Sequence, residues 1–430
     1  MQKTKQTSKF YLTLVIFSLV GQIAWVMENM YLNVFIYERF AASAEAISAM
    51  VGASSVAATV TTLLIGALSD KLGKRKLFIC GGYLCWGVSI WSFAAINRFA
   101  PAAAAGAAAV SLGVSLVIVM DCVMTFFGSA ANDAAFNAWL TDSTDETNRG
   151  AAEGINSMMP MLAILVVFGG AMFLDPASPG YWNIIFGVIG TVVFVLGAAG
   201  FFLIRDPRVD TADNERFFAN LLYGFRPKVI GANRTLYLTL LSYAIFGISI
   251  QTFMPYLILY YTVSLGMDNY VLIFAPAIVL AAAFTFFYGR VYDRRGFRGS
   301  SIPSAALLMA GYVLLYCFRS TVPVFLGTLL MLCGYLSGMA VFGAMLRDHT
   351  PQNRAGMFQG QRIIGQVLIP GIIGPAIGAA VLKNAEVIVN SDGTTSFIPN
   401  RSIFLAAFAV GLVLLLSLVP LFGRIGGKGK

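Results

Sequence analysis

The chain has 430 residues, of which 58% are hydrophobic and only 11% charged, with a formal net charge of +9. A soluble domain carries about a quarter charged residues, and nucleic-acid binding would need the basic side chains gathered on a polar domain; both are excluded. The Lys and Arg residues lie in short segments between apolar runs of about 20 residues, the length of a bilayer crossing.

In chain order, Met1–Lys9 is polar and holds Lys3, Lys5 and Lys9. The apolar run from Phe10 to about Tyr37 is too long for a signal peptide and carries Gln22, Glu28, Asn29 and Asn33, so it reads as a first membrane span. Further spans are predicted over 45–68, 77–97, 108–140, 151–174 and 182–204, and, after a polar stretch, over 235–262, 270–289, 301–318, 322–346, 363–382 and 402–422. The organisation is therefore an all-α membrane protein of twelve helices: a first bundle at 1–204, a linker at 205–234 and a second bundle at 235–430. Within the linker, 214–225 reads either as an amphipathic surface helix or as a solvated connector. Between the last two spans, two β-prone runs flank Asp392-Gly393, which predicts a hairpin. Of the 29 Lys and Arg, only Arg39, Arg98, Arg319, Lys383 and Arg401 fall on the side away from the N-terminus. Both termini are therefore expected in the cytoplasm. The five cysteines lie in apolar runs without zinc-like spacing, and the one histidine is His349. They read as small buried hydrophobes, and neither metal nor cofactor is implied.

The turn after the second span, Gly66-Ala67-Leu68-Ser69-Asp70-Lys71-Leu72-Gly73-Lys74-Arg75, returns at Gly289–Arg298. Gly66 matches Gly289, Asp70 matches Asp293, Lys71 matches Arg294, Gly73 matches Gly296 and Arg75 matches Arg298, at one constant offset of about half the chain. A second pair of loops repeats as well: Asp142 with Asp348, and Arg149 with Arg354. Two similar halves follow.

This repeated Gly-x-x-x-Asp-Lys/Arg-x-Gly-x-Arg turn, with the six-linker-six layout, resembles the signature of the major facilitator superfamily. The resemblance implies two pseudo-symmetric six-helix bundles and transport by alternating access. It further implies that Asp70 and Asp293 cap or pair neighbouring helix ends, with Gly66, Lys71, Gly73, Arg75, Asp142, Arg149, Gly289, Arg294, Gly296, Asp348 and Arg354 in the same conformational gate. The alternative is a solvated basic turn. Within the superfamily, the Asp-x-Thr…Asn-Arg-Gly loop after the fourth span is similar to that of glycoside–pentoside–hexuronide and sucrose symporters. Those often carry an acidic pair on the second span, where this chain has no acid after Glu45; a proton is thus expected rather than sodium.

Glu28 and Asp121 are the only acids deep inside predicted spans, at similar depth, and no Lys or Arg lies at their level. An ionised carboxylate there is costly unless paired, protonated or hydrated. They read as proton-coupling residues or as structural carboxyls bonded to neighbouring helices. Helical spacing groups Gln22, Asn29 and Asn33 on the first span, where Trp25 and Tyr31 flank Glu28 at i−3 and i+3, and groups Asp121, Thr125, Ser129 and Asn132 on the fourth. The seventh span offers Gln251, Tyr256 and Tyr260, and the eleventh Gln366. Amides beside aromatic rings suit a neutral polyhydroxylated solute; the same rings also suit packing or interfacial anchoring. Asp133 and Asn137 are expected to serve the cytoplasmic network. Pro370 and Pro375 should kink the eleventh span.

The reading is a secondary transporter rather than an enzyme, with a small-molecule substrate, a proton and the lipid bilayer as partners, and a monomeric state. Two alternatives stand beside it. One is an exporter of amphipathic cations, disfavoured by the missing Gly-Pro on the fifth span and the missing buried Arg on the fourth. The other is a membrane receptor or enzyme, for which no phosphate loop or Ser/His pairing is found.

Overall fold

The structure, a computed structural model, describes residues 8–98, 106–144, 148–176, 178–206, 225–350, 358–390 and 393–426. Among them, eleven helices are long and apolar enough to cross a membrane. Spans one to seven are Ser8–Phe40, Ala44–Ser69, Arg75–Arg98, Val110–Asp142, Gly154–Ala171, Tyr181–Leu203 and Arg234–Ser264. Spans ten to twelve are Thr321–His349, Gly360–Leu382 and Ser402–Arg424.

The remaining helix, Val271–Cys317, has 47 residues and would be about 70 Å long if straight, more than twice the hydrocarbon core of about 30 Å. It is not straight. Gly296 sits at φ 64° and ψ −172°, outside the helical region. Across that break the Tyr288 hydroxyl donates to the Ser300 carbonyl at 2.7 Å. Twelve residues of straight helix would hold those groups about 18 Å apart, so the chain doubles back and the segment supplies spans eight and nine.

The repeat detected in the sequence extends to the backbone. Gly73 has φ +62° and Gly296 has φ +64°, the left-handed conformation that a Cβ disfavours. At the first of these turns the Gly73 N–H donates to the Ser69 carbonyl at 3.0 Å, closing the end of span two.

Contacts divide the chain into two compact units, one formed by Met1–Ala42, Ala53–Phe217 and Val389–Thr394, the other by Ser43–Gly52, Phe218–Ile388 and Thr395–Lys430. In the first unit, span one packs on spans five and six, and span three on spans four and six. Phe35 is the centre of an aromatic cluster with Phe93, Trp182 and Phe186. In the second unit, span seven packs on spans eleven and twelve, and the eight–nine hairpin on span ten. The expected hairpin between spans eleven and twelve forms as strands β1 (Val387–Val389) and β2 (Thr395–Phe397). Gly393 in its turn has φ +79°, and the Phe397 ring lies 6.3 Å from that of Tyr256. Residues 214–224, read as a surface helix or connector, lie outside the described residues.

Four spans contain a stretch of wider, π-helical turn: Met27–Tyr31 in span one, Ser129–Phe136 in span four, Tyr260–Ser264 in span seven and Ile364–Leu368 in span eleven. In span eleven the cause is local. Pro370 has no N–H to give the Gln366 carbonyl, so the regular ladder fails one turn before it. The kink expected from Pro370 and Pro375 thus takes the form of a widened turn.

The cysteines correct one expectation. Cys80 and Cys333 are buried, but Cys85 and Cys317 are exposed on the protein surface. In a bilayer an apolar side chain leaves water without being enclosed by protein.

Candidate functional site

Glu28 lies inside the widened turn of span one, which aims it at span four. The Thr125 hydroxyl donates to Glu28 Oε1 at 2.8 Å, and Asp121 is close enough for its charge to act on Glu28. Ser54, from span two, hydrogen-bonds Asp121. Glu28 is 7% exposed and Asp121 2%. Even so, Glu28 Oε2 and Asp121 Oδ1 have no hydrogen-bond partner among the described residues. Leaving a buried polar atom unpaired costs about 1–3 kcal/mol, and more for a charged group, so each of these oxygens gains by taking a proton or a water.

Around the two acids stands a polar and aromatic wall. Asn132 donates to the Tyr83 hydroxyl at 2.8 Å, and that hydroxyl donates to the Phe17 carbonyl at 2.8 Å. The Trp25 and Trp86 rings are 5.1 Å apart, and the buried Trp86 Nε1 has no acceptor among the described residues. Gly21 and Gly128 make this approach possible. A Cβ on Gly21 would stand 2.3 Å from Asn132 Nδ2, and one on Gly128 would stand 2.7 Å from Trp86 Cε2. Sequence reasoning missed Tyr83, Trp86 and Ser54. Span three reads as plainly apolar, and the available signal was small glycines facing large aromatics.

On span one the widened turn breaks the regular count that placed Gln22, Asn29 and Asn33 on one face. Gln22 is half-buried, Asn29 exposed and Asn33 buried. Asn29 Nδ2 donates to the Trp25 carbonyl at 2.8 Å and Asn33 Nδ2 to the Asn29 carbonyl at 2.8 Å. Both amides thus complete the loosened ladder, although Asn33 Oδ1 stays buried and without a partner. In the second unit the hydroxyls of Tyr256 and Tyr260 are committed to backbone. Tyr256 donates toward the Ala44 carbonyl at 3.0 Å and the Pro375 carbonyl at 3.2 Å, and Tyr260 to the Leu315 carbonyl at 3.2 Å. Gln251 packs beside Gly374, while Gln366 is half-buried in the widened turn of span eleven. Asp133, expected to serve the cytoplasmic network, accepts from the Ser129 hydroxyl at 3.1 Å.

At the ends of the spans, Arg75 Nε pairs with Asp142 Oδ2 at 3.0 Å and Arg75 Nη1 donates to Ser69 Oγ at 2.6 Å. Both bonds lie within the first unit. The start of span three is capped from afar: the Lys76 N–H donates to Asp206 Oδ1 at 2.6 Å, a partner not visible in the local sequence. The second unit performs the same task differently. Tyr292, the repeat counterpart of Ser69, donates to Asp348 Oδ2 at 2.5 Å, and Arg298, the counterpart of Arg75, lies over the Phe422 ring at 5.6 Å. Lys71, Asp293 and Arg294 are exposed. The side chains of Asp70 and Arg149, and Arg354 as a whole, lie outside the described residues, as does the full set of contacts a gate would need.

Residues 12–375 fit the family described as Major Facilitator Superfamily. The chain belongs to that superfamily. It is a multi-pass membrane transporter with the all-α fold of that family. Similar solved structures include the nucleoside transporter NupG, at 13% identity and TM-score 0.65, with 97% of this chain and 99% of that chain covered. A D-xylose-proton symporter aligns at 12% identity and TM-score 0.71 over 95% of this chain and 98% of that one. A bacterial homolog of the human lysosomal transporter Spinster, inward-facing and occupied, aligns at 14% identity and TM-score 0.68 over 97% of both chains. At these identities the likeness shows the fold. No curated protein sequence matches the chain.

Proposed function

We propose that this transporter is a proton-coupled symporter of a neutral, polyhydroxylated small solute, acting by alternating access in the cell membrane with both termini cytoplasmic. The carrying observation is the Glu28–Asp121 pair: two buried acids, a Thr125 hydroxyl donating to Glu28, two unpartnered carboxyl oxygens and no ion pair to either acid among the described residues. A buried carboxyl without a base is accommodated most cheaply in its neutral form and ionises when water reaches it. A symporter needs such a group, because its proton affinity must change as the site changes sides. The Trp25–Trp86 ring pair and the Asn132–Tyr83 pair beside it suit a sugar-like solute, with ring faces against C–H surfaces and amides to hydroxyls. Similarity to a D-xylose-proton symporter and to a nucleoside transporter points the same way.

Uptake by proteoliposomes against a panel of pentoses, hexoses, disaccharides and nucleosides, with and without an imposed pH gradient, tests the reading. Asp121→Asn should abolish uphill uptake and leave downhill exchange, and Glu28→Gln should do the same or shift the pH dependence. Uphill uptake with wild-type pH dependence in the double variant would defeat the proposal. Sodium dependence at constant pH would make the two acids cation ligands instead.

A further inference from the structure

We infer that Asp133 is the entry station of a proton relay running along span four, through Ser129 and Thr125, to the Glu28–Asp121 pair. The inference rests on the proton-coupled reading above and adds a residue and a direction to it.

Four polar side chains recur at every fourth position of span four: Asp121, Thr125, Ser129 and Asp133. In a regular α-helix such a series drifts about 40° per step around the axis, so its ends face different ways. The turn widens from Ser129 to Phe136. A π-helical turn holds more residues, so a four-residue step there falls close to or short of a full turn and the drift is checked. The polar series therefore stays closer to one face than a straight helix allows. Each step rises about 6 Å, a gap that one bridging water spans.

Two hydrogen bonds tie the hydroxyls of the series to carboxyls. Thr125 holds Glu28 Oε1, and Ser129 holds Asp133 Oδ2. Burial is graded along it: Asp121 and Glu28 are buried, whereas Asp133 is half-buried, toward the Asp142 end of the span. The ionisable groups acting on this region from neighbouring elements are the Tyr83 phenol of span three and Glu28 of span one. Neither is a cation, and no ion pair to Asp133 forms among the described residues. Asp133 is thus the least enclosed of the three carboxyls and the one nearest the Asp142 end of the span. In the transfer, the Asp133 carboxylate takes a proton from hydronium, leaving a water molecule. Its O–H bond then breaks as one forms on the bridging water, and the Thr125 and Ser129 hydroxyls each accept one proton and release another. The proton ends on Glu28 or Asp121, which becomes neutral, and Asp133 returns to carboxylate.

Time-resolved infrared spectroscopy after a pH jump tests this on the full-length protein in lipid nanodiscs, with the carboxyl bands of the pair assigned from Glu28→Gln and Asp121→Asn. Asp133→Asn should slow protonation of the pair at least tenfold. Asp133→Glu should keep the wild-type rate, and azide, a small diffusible weak acid, should restore the rate of Asp133→Asn, which a merely structural role would not predict. If Asp133→Asn does not fold, Ser129→Ala carries the test with an expected several-fold slowing. A wild-type rate in Asp133→Asn, or in Ser129→Ala where it stands in, overturns the relay. Absence of any titrating band from the pair in the wild-type protein removes the proton-coupled reading itself, and the relay with it.

Discussion

Neutralising Asp142 by substitution with Asn should destabilise the first unit through Arg75. The Arg75 side chain is 4% exposed and that of Asp142 is 25% exposed, with 3.0 Å between Nε and Oδ2. Removing one partner of a fully buried pair costs about 3–5 kcal/mol, because the other charge is stranded, whereas an exposed pair contributes only about 0.2–1 kcal/mol. Water reaches the carboxylate but hardly the guanidinium, and Ser69 Oγ remains as an acceptor at 2.6 Å. The loss expected for Asp142→Asn is therefore about 2 kcal/mol. Reversible unfolding by dodecyl sulfate titration in mixed micelles measures it. The companion variant is Arg75→Met, which fills the space without a charge. If the stranded charge causes the loss, the double variant should be no less stable than Asp142→Asn alone. A loss below about 0.5 kcal/mol for Asp142→Asn, or strict additivity in the double variant, would refute the argument.

Tyr292→Phe removes the hydrogen bond to Asp348 and should cost about 1 kcal/mol in the same titration; Arg298→Ala should cost less, since only an exposed cation–ring contact is lost, and the reverse order would show that the repeat kept its arginine pairing. Gly73→Ala and Gly296→Ala should each cost about 1–2 kcal/mol through positive-φ backbone; at Gly296, with ψ −172°, Asn should give no relief because that region is essentially glycine's alone, and a neutral alanine at either site would mean the turn relaxes. Gly128→Ala drives a methyl into Trp86, so it should shift tryptophan fluorescence and weaken solute binding without changing insertion; an unchanged emission spectrum would mean the ring moves aside freely.

Much of the fold was legible because bilayer physics writes it into apolar length and basic loops. The constant offset of the two turns anticipated Gly73 and Gly296 in the same conformation, since a left-handed residue leaves a glycine in the sequence. Glu28 and Asp121 were legible for a similar reason: an acid in a long apolar run is too costly to be incidental. The widened turns were not legible, except at Pro370, because an inserted residue in a helix depends on what packs against it. Counting along a regular helix therefore misplaced Asn29 relative to Asn33. Tyr256 and Tyr260 read as solute contacts by type, but type does not reveal that each hydroxyl is taken by a backbone carbonyl. Asp206 and Tyr292 were hidden because their partners lie far away in the chain.

The fold at Gly296 bears on how the protein is made. Tyr288 and Ser300 close the eight–nine turn across twelve residues, so the two helices are held in opposite directions by a contact between themselves. During synthesis such a pair can leave the translocon together, as one inserted unit, with Arg290, Arg294, Arg295 and Arg298 retained on a single side. Neither helix then waits in lipid for a distant partner. A ribosome stalled far enough past Cys317 for span nine to clear the exit tunnel should accordingly present both spans inserted, whereas one stalled when only span eight has cleared it should present a single span whose basic end has not yet been fixed by its return stroke.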